Sequence, residues 1–409
     1  MTLVTPVRAQ DTTRTSRDSL AARLERAEEA IAFLRQQLAD ASESSVRTRS
    51  GLALELNGQV LVNGFGNSRN VNNADVPVFV RPDSGTGSPL GGGGMAIRQT
   101  MLGISLSSAD VLGAAFTAAL DVDFFGGQQP SSGGRTFPLL RLRIARAALN
   151  WANAELMVGQ DAPLVSQLNP VSLASVGVPG FTAAGNLWLW LPQVRAGLHT
   201  TGNVRFGIQG AVLAPTSGDP AGVFDTDLDV AERSRRPYVE GRAHVTWGDA
   251  FDGGSIGVGA HDGWFSTPTS PVRREGRAVT ADARIPFGRK LELRGEWYDG
   301  DGVRGLGGGA IGQLFGVSGN PIHSTGMWGQ LNITPTPRVI LGAGYGMDDP
   351  DDDDLPASGR LKNTASEIHL HLRPSGPIVL GFEYRRLETT YRSGPIGNDH
   401  LNVAVGWRF

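Results

Sequence analysis

From Gly51 onward the chain repeats short runs in which apolar and polar residues alternate. In Tyr238–Trp247, one parity holds Val239, Gly241, Ala243, Val245 and Trp247, and the other holds Glu240, Arg242, His244 and Thr246. Leu291, Leu293 and Trp297 likewise oppose Glu292, Arg294 and Glu296, and Leu380, Phe382 and Tyr384 oppose Gly381, Glu383 and Arg385. Phe116, Leu120, Val122 and Phe124 oppose Thr117, Asp121 and Asp123. Successive side chains of a β-strand point to opposite faces, so each run has one apolar face and one charged face. The pattern predicts sixteen strands, at 52–65, 95–107, 111–125, 137–149, 154–160, 186–199, 203–214, 236–247, 254–265, 275–286, 290–299, 325–334, 337–346, 361–373, 376–388 and 398–409. Two of them fit poorly: Arg146 falls on the outward parity of 137–149, and the inward face of 186–199 begins with Leu187, Leu189 and Leu191.

The connections alternate in length. Short turns are expected at 107–110, 200–203, 248–254, 287–290, 334–337 and 374–376, and long loops at 66–94, 161–185, 215–235, 300–324 and 347–360. Short turns at one end and long loops at the other characterise outer-membrane barrels, whereas propellers and sandwiches show no such alternation. Confining charge to one parity has a physical reason, because an arginine at the bilayer midplane costs roughly 2–4 kcal/mol on the lipid face. Trp407 and Phe409 continue the outward parity of Leu401, Val403 and Val405. They are expected in an aromatic girdle, and a terminal aromatic resembles the signal that barrel-assembly machinery reads.

A different period precedes the strands. Leu20, Leu24, Ala27, Ile31, Leu34, Leu38 and Ala41 alternate spacings of four and three, which is a heptad seam. Arg23 and Glu28 flank it in a pattern that resembles those of three-stranded coiled coils. So narrow an apolar stripe suits self-association better than packing on a globular core. The fold class expected is therefore all-β: a 16-stranded antiparallel transmembrane β-barrel preceded by a short N-terminal α-helical coiled coil. Its parts are a residual signal-peptide tail at 1–10, a periplasmic coiled coil at 16–42, a polar linker at 43–50 and the barrel at 51–409.

Composition narrows the function. The 409 residues include no cysteine, which excludes disulfides and thiolate sites, and 40% are hydrophobic with no run long enough for a transmembrane helix. Net charge is -3 with no basic block, so nucleic acid is not an expected partner. No nucleophile–base, phosphate-loop or dinucleotide motif occurs in a suitable context, so neither an enzyme nor a cofactor is expected. The glycines at 91–94 read as a loop. Asp348 to Asp354 form an acidic run in a long loop, and Asp351, Asp352, Asp353 and Asp354 are the weak candidates for a hard cation; solvated charge is the simpler reading.

A barrel this wide keeps an aqueous lumen unless a loop folds in. Loop 161–185 is too apolar for free solution and is the expected constriction. By parity the lumen is lined by Arg141, Arg143, Gln193, Arg195, Glu240, Arg242, His244, Asp282, Arg284, Glu292, Arg294, Glu296, Glu367, Glu383 and Arg385. Arg141, Arg143 and Arg195 have the fewest expected acidic neighbours, which predicts a basic ladder favouring small anions or carboxylates. Pairing of these arginines with nearby carboxylates is the alternative.

Several phrases resemble the DcaP-like trimeric outer-membrane porins and, more loosely, the phosphate-selective porins. They are Leu56-Asn57-Gly58-Gln59-Val60, Arg98-Gln99-Thr100-Met101-Leu102-Gly103, Leu120-Asp121-Val122-Asp123-Phe124-Phe125-Gly126-Gly127, Leu140-Arg141-Leu142-Arg143-Ile144-Ala145, Val158-Gly159-Gln160 and Pro192-Gln193-Val194-Arg195. The resemblance implies a sixteen-stranded homotrimer with a periplasmic coiled coil, passing small, often negatively charged solutes. The expected partners are small hydrophilic solutes, outer-membrane lipid and lipopolysaccharide, and the barrel-assembly machinery. A non-conducting envelope anchor tethered through the coiled coil is the other reading.

Overall fold

In the computed structural model, the structure describes residues 46–47, 52–82, 91–126, 138–218, 227–248, 253–267 and 272–409. Two compact units emerge, Met1–Glu55 and Leu56–Phe409. The coiled-coil residues Leu20, Arg23, Leu24, Ala27, Glu28, Ile31, Leu34 and Leu38 lie outside the described residues. Within the first unit, Val46–Arg47 pairs antiparallel with Ala53 and Leu54. The linker expected at 43–50 therefore contains a short strand.

The second unit is a closed antiparallel barrel of sixteen wall strands. They are β1 (Ala53–Asn67), β2 (Gly92–Ala96 and Met101–Val111, in two pieces), β3 (Ala114–Gly126), β4 (Leu139–Asn150), β5 (Ala154–Asp161), β6 (Leu191–His199), β7 (Val204–Leu213), β8 (Tyr238–Trp247), β9 (Gly254–Phe265), β10 (Arg274–Phe287), β11 (Leu291–Asp301), β12 (His323–Thr336), β13 (Val339–Pro350), β14 (Lys362–Leu372), β15 (Ile378–Tyr391) and β16 (Gly394–Arg408). Each pairs with its sequence neighbour, and β16 closes the cylinder on β1 through Val405↔Val62 and Trp407↔Val60. Closure removes both sheet edges, as a span through hydrocarbon demands. The outward parity carries half-exposed apolar residues all round, including Val158, Phe206, Val258, Leu331, Ile368, Leu401 and Trp407. So extended an apolar surface is stable only against lipid.

Several boundaries move. The glycines at 92–94 pair with Phe65–Asn67 as part of β2, not as a loop. The turn expected at 107–110 lies at Leu112–Gly113, because β2 runs on to Val111 through an irregular pairing with β3. The strand expected from 186 begins at Leu191, and the leucines before it belong to a loop inside the barrel. β13 runs to Pro350 and so absorbs the start of the acidic loop.

Arg146 is the most informative correction. β4 holds a bulge: Asp121 pairs with Ile144 and Val122 with Leu142, which leaves Arg143 as an extra residue. One extra residue inverts the parity of everything beyond it. Arg146 therefore sits inside the barrel, registered with Gly159 and bonded to Asp161 at 2.9 Å. The Gln160 amide donates to the carbonyls of both Leu142 and Arg143 at 3.0 Å, satisfying groups that the bulge removes from the ladder. Gly159 has φ +133°, and a side chain there would strike the Ala145 carbonyl.

Candidate functional site in the barrel lumen

The segment 162–190 folds inward, longer than the expected 161–185 because Asn186–Trp190 stay with it. Its apolar residues explain why: Leu164 and Leu187 enter one buried cluster, Phe181 and Ala184 a second, and Leu173 a third. Burial of a side chain of this size contributes about 1.5–3 kcal/mol, which ties the loop to the wall.

Wall side chains then hold the loop backbone at short intervals. Leu164 N donates to Glu240 Oε2 at 2.6 Å, and Gln167 N and Leu168 N donate to Glu296 Oε1 at 2.8 and 2.7 Å. Val171 N donates to Gln330 Oε1 at 2.7 Å, and the Ser172 hydroxyl to Glu383 at 2.5 Å. Val176 N and Gly177 N share Gln99 Oε1 at 2.7 and 2.8 Å. These holders stand on β8, β11, β12, β15 and, for Gln99, the break between the two pieces of β2, so the loop circles the inner wall. It then returns at the level of Asn363, whose amide donates to Ala183 O at 2.7 Å, while Phe181 stacks on Trp328 at 5.9 Å. Trp188 N and Leu189 N both donate to Leu306 O of loop 302–322 at 3.0 Å.

Beyond the loop, two arcs of wall carry the charge. On β2 to β6, Arg98 pairs with Asp75, and Arg141 donates two bonds to Asp123 at 3.0 and 2.6 Å. Arg143 lies 3.7 Å from the same carboxylate, and Arg195 bonds Asp161 at 3.1 Å. Aromatic faces cover these guanidinium groups: Arg98 sits 4.2 Å from the Phe125 centroid, and Arg141 and Arg143 lie 5.2 and 4.5 Å from Trp190. On β8 to β15, Arg242 is bidentate on buried Asp282, Glu292 bridges Arg284 and Arg294, and Glu383 pairs with Arg385. His261 bonds Glu240 at 2.9 Å, Glu367 lies 3.5 Å from Arg385, and the His244 ring sits over Gly207.

The predicted lining residues thus face inward, but many meet the loop rather than open water. Glu240, Glu367, Glu383 and Arg385 are each at most 3% exposed. Arg141, Arg143 and Arg195 each lie beside a carboxylate, Asp123 or Asp161, which is the pairing named above as the alternative to a free basic ladder. Gln330, Asn63, Asn363, Trp188 and Trp190 carry no sequence signal of their own, and Arg98 and Gln99 enter only through a family phrase. Gln330, Asn63 and Asn363 are uncharged polar residues on the inward parity, which composition cannot tell from any solvated position.

At the long-loop end, Asp348 is buried and accepts from Tyr298 Oη, Ser324 Oγ and Ile311 N at 2.8, 2.6 and 3.0 Å. It holds loop 302–322 in place. Asp351 caps the turn Asp352–Asp354, and Asp354 accepts from His323 N at 3.3 Å. Among the described residues no group of three or more metal-ligating side chains converges. Burial lowers the Arg360 guanidinium from its ordinary value, and Arg304 adds to the effect.

No protein-family signature matches the chain, and no curated protein does. Solved structures do match in shape. The outer membrane channel DcaP of Acinetobacter baumannii superposes with a TM-score of 0.68 at 18% identity, over 90% of this chain and 100% of that one. An anion-selective porin from Comamonas acidovorans gives 0.57 at 14% identity, over 88% and 100%. OprB of Pseudomonas putida gives 0.53 at 10% identity, over 87% and 94%. The chain therefore has the β-barrel fold of outer-membrane channels of the DcaP kind.

Proposed function

We propose that this chain is an outer-membrane porin that lets small hydrophilic solutes diffuse through a lumen narrowed by residues 162–190. The observation that carries the reading is a closed barrel, apolar outside and charged inside, with a long loop docked on its inner wall. The long-loop end then faces outward and the short turns face the periplasm. The porin fold of the structural neighbours supports this, and surrounding lipid, lipopolysaccharide and the barrel-assembly machinery are the partners it requires. A planar bilayer containing the purified protein should show discrete conductance steps, and their absence would overturn the reading.

A preference for anions is supported by Arg141, whose side chain keeps 24% exposure beside Trp188 and Trp190 although it pairs with Asp123. The reversal potential in a salt gradient should take the anion sign; clear cation selectivity defeats the preference. Self-association is supported by the outward face of β1 to β5. Gly64, Gly66, Ala118, Ala145 and Ala147 lie there, whereas the outward Trp and Tyr residues, such as Trp247, Trp264, Trp297, Tyr345, Tyr384 and Trp407, stand on β8 to β16. An outward face this rich in glycine and alanine, with Phe116 and Phe124 among them, suits a protein neighbour better than a headgroup layer, and homotrimers showing current steps in threes are expected. The dense packing of the inner loop favours the second reading, a non-conducting anchor, and silent bilayers with intact trimers would select it.

A further inference from the structure

Loop 227–237 and the start of β10 bring five arginines together at the outer rim. Arg233 belongs to the short turn Glu232–Ser234, Arg235 caps it in a left-handed conformation at φ 58°, and Arg236 follows. Arg273 and Arg274 stand just before and at the start of β10, separated from β8 by β9, and Arg273 Nε donates to Ser234 O at 3.0 Å, joining the two groups. Among the described residues, none of the five forms an ion pair. The carboxylate of Glu232 is turned to Asp229 N at 2.9 Å. Elsewhere on the outer rim Arg277 pairs with Glu275, Lys362 with Asp349 and Arg386 with Asp399, while Arg360 and Arg392 donate to backbone carbonyls as isolated cations rather than as a cluster.

Directly beneath this cluster the lipid-facing wall is concave. Val158, Val194, Val212 and Val239 register with one another across β5, β6, β7 and β8, each about half exposed. Val158, Val194 and Val212 line a groove of about 600 Å³ whose upper lining includes Arg235, Arg236 and Glu232. The Arg236 guanidinium lies 5.1 Å from the ring of Trp264, an outward tryptophan at the same level. Apolar groove, interfacial tryptophan and unpaired arginines stack in the order of an acyl chain, a glycerol or sugar backbone and a phosphate.

We infer that this surface binds a phosphorylated glycolipid of the outer leaflet, with acyl chains along the valine row and phosphates on the arginines. The inference rests on the outer-membrane reading and adds to it a located lipid site. Anionic lipid attracts each nearby arginine by about 1 kcal/mol, so removing two should weaken binding about thirtyfold. The ion pairs elsewhere on the outer rim lack this free charge, and Arg386 should matter little.

The test is native mass spectrometry of the purified full chain in detergent with diphosphorylated lipid A, and with its dephosphorylated form as a second probe. The wild type should retain the phosphorylated lipid, R235Q/R236Q should lose it about thirtyfold, and R386Q should keep it. Val194→Trp, which fills the groove, should also lose it while leaving the arginines in place. Equal retention of both lipids, or equal affinity in R235Q/R236Q and wild type, overturns the proposal. So does a double variant that dissociates the oligomer while its lipid binding is unchanged, because the patch is then a contact between copies. Bilayer recordings on the same samples keep the two readings apart: lipid binding by a silent barrel sinks only the porin, and conductance without lipid binding sinks only this site.

Discussion

The arc of inner wall from β2 to β6 and the arc from β8 to β15 both carry charge, and they put it to different uses. On the second arc, carboxylates turn to the loop: Glu240 and Glu296 accept from the backbone N–H groups of Leu164, Gln167 and Leu168, and Glu383 from the Ser172 hydroxyl. On the first arc, guanidinium groups lie against Phe125, Trp188 and Trp190, and Arg141 also donates to the Gly177 carbonyl of the loop. A carboxylate can only accept, so it suits the N–H groups of a chain without regular structure. A guanidinium donates in a planar fork and stacks on rings, so it suits a solute. Both arcs therefore hold the loop, the second mainly through carboxylates and the first through Gln99 and Arg141, and the first alone sets its guanidinium groups against rings beside the remaining space.

The largest expected effect comes from Glu296→Leu. It leaves Gln167 N, Leu168 N and the Trp328 indole without an acceptor. Stability should fall by about 4 kcal/mol, read by urea unfolding in detergent, and single-channel current should become larger and noisier. Normal current would mean that the second arc does not position the loop. Asp123→Asn strikes the first arc, stripping the shared partner from Arg141 and Arg143. It should cost about 3 kcal/mol and move the reversal potential toward anions, with loop-dependent noise unchanged. A shift toward cations would reverse the roles assigned to the arcs. Gln160→Ala removes two bonds from the β4 bulge, at a cost of about 2 kcal/mol, seen as a lower temperature of heat-induced mobility shift on gels. The smallest effect belongs to the joint change of Asp351, Asp352, Asp353 and Asp354 to Asn. Stability should move by less than about 0.5 kcal/mol and calcium should not alter conductance; a calcium-dependent current would reinstate a cation site there.

The wall was legible in the sequence because a lipid-facing strand must alternate, and the cost of breaking the pattern is paid residue by residue. All sixteen strands could be placed that way, within a few residues. What alternation cannot show is an interruption of its own phase. Arg146 looked misplaced because the bulge at Arg143 has no signature except the misfit itself. The leucines at 187 and 189 read as a greasy lumen because a loop packed inside a barrel has the composition of a core, and Leu191 opens β6 against the same cluster. The aromatic arginine cluster depends on Trp188 and Trp190 returning to β4 after a circuit of the wall, a long-range contact that no local pattern records.

The bulge also sets where the barrel tolerates a change in length. Losing one codon within a spanning strand normally exchanges its inner and outer faces and sends charge into hydrocarbon. β4 carries a spare residue, so deleting Arg143 would restore plain alternation and leave Arg141 and Arg146 both inside. Insertions and deletions that are lethal in the middle of β8 or β11 should be survivable here, which makes this strand the place where relatives of different strand length can diverge.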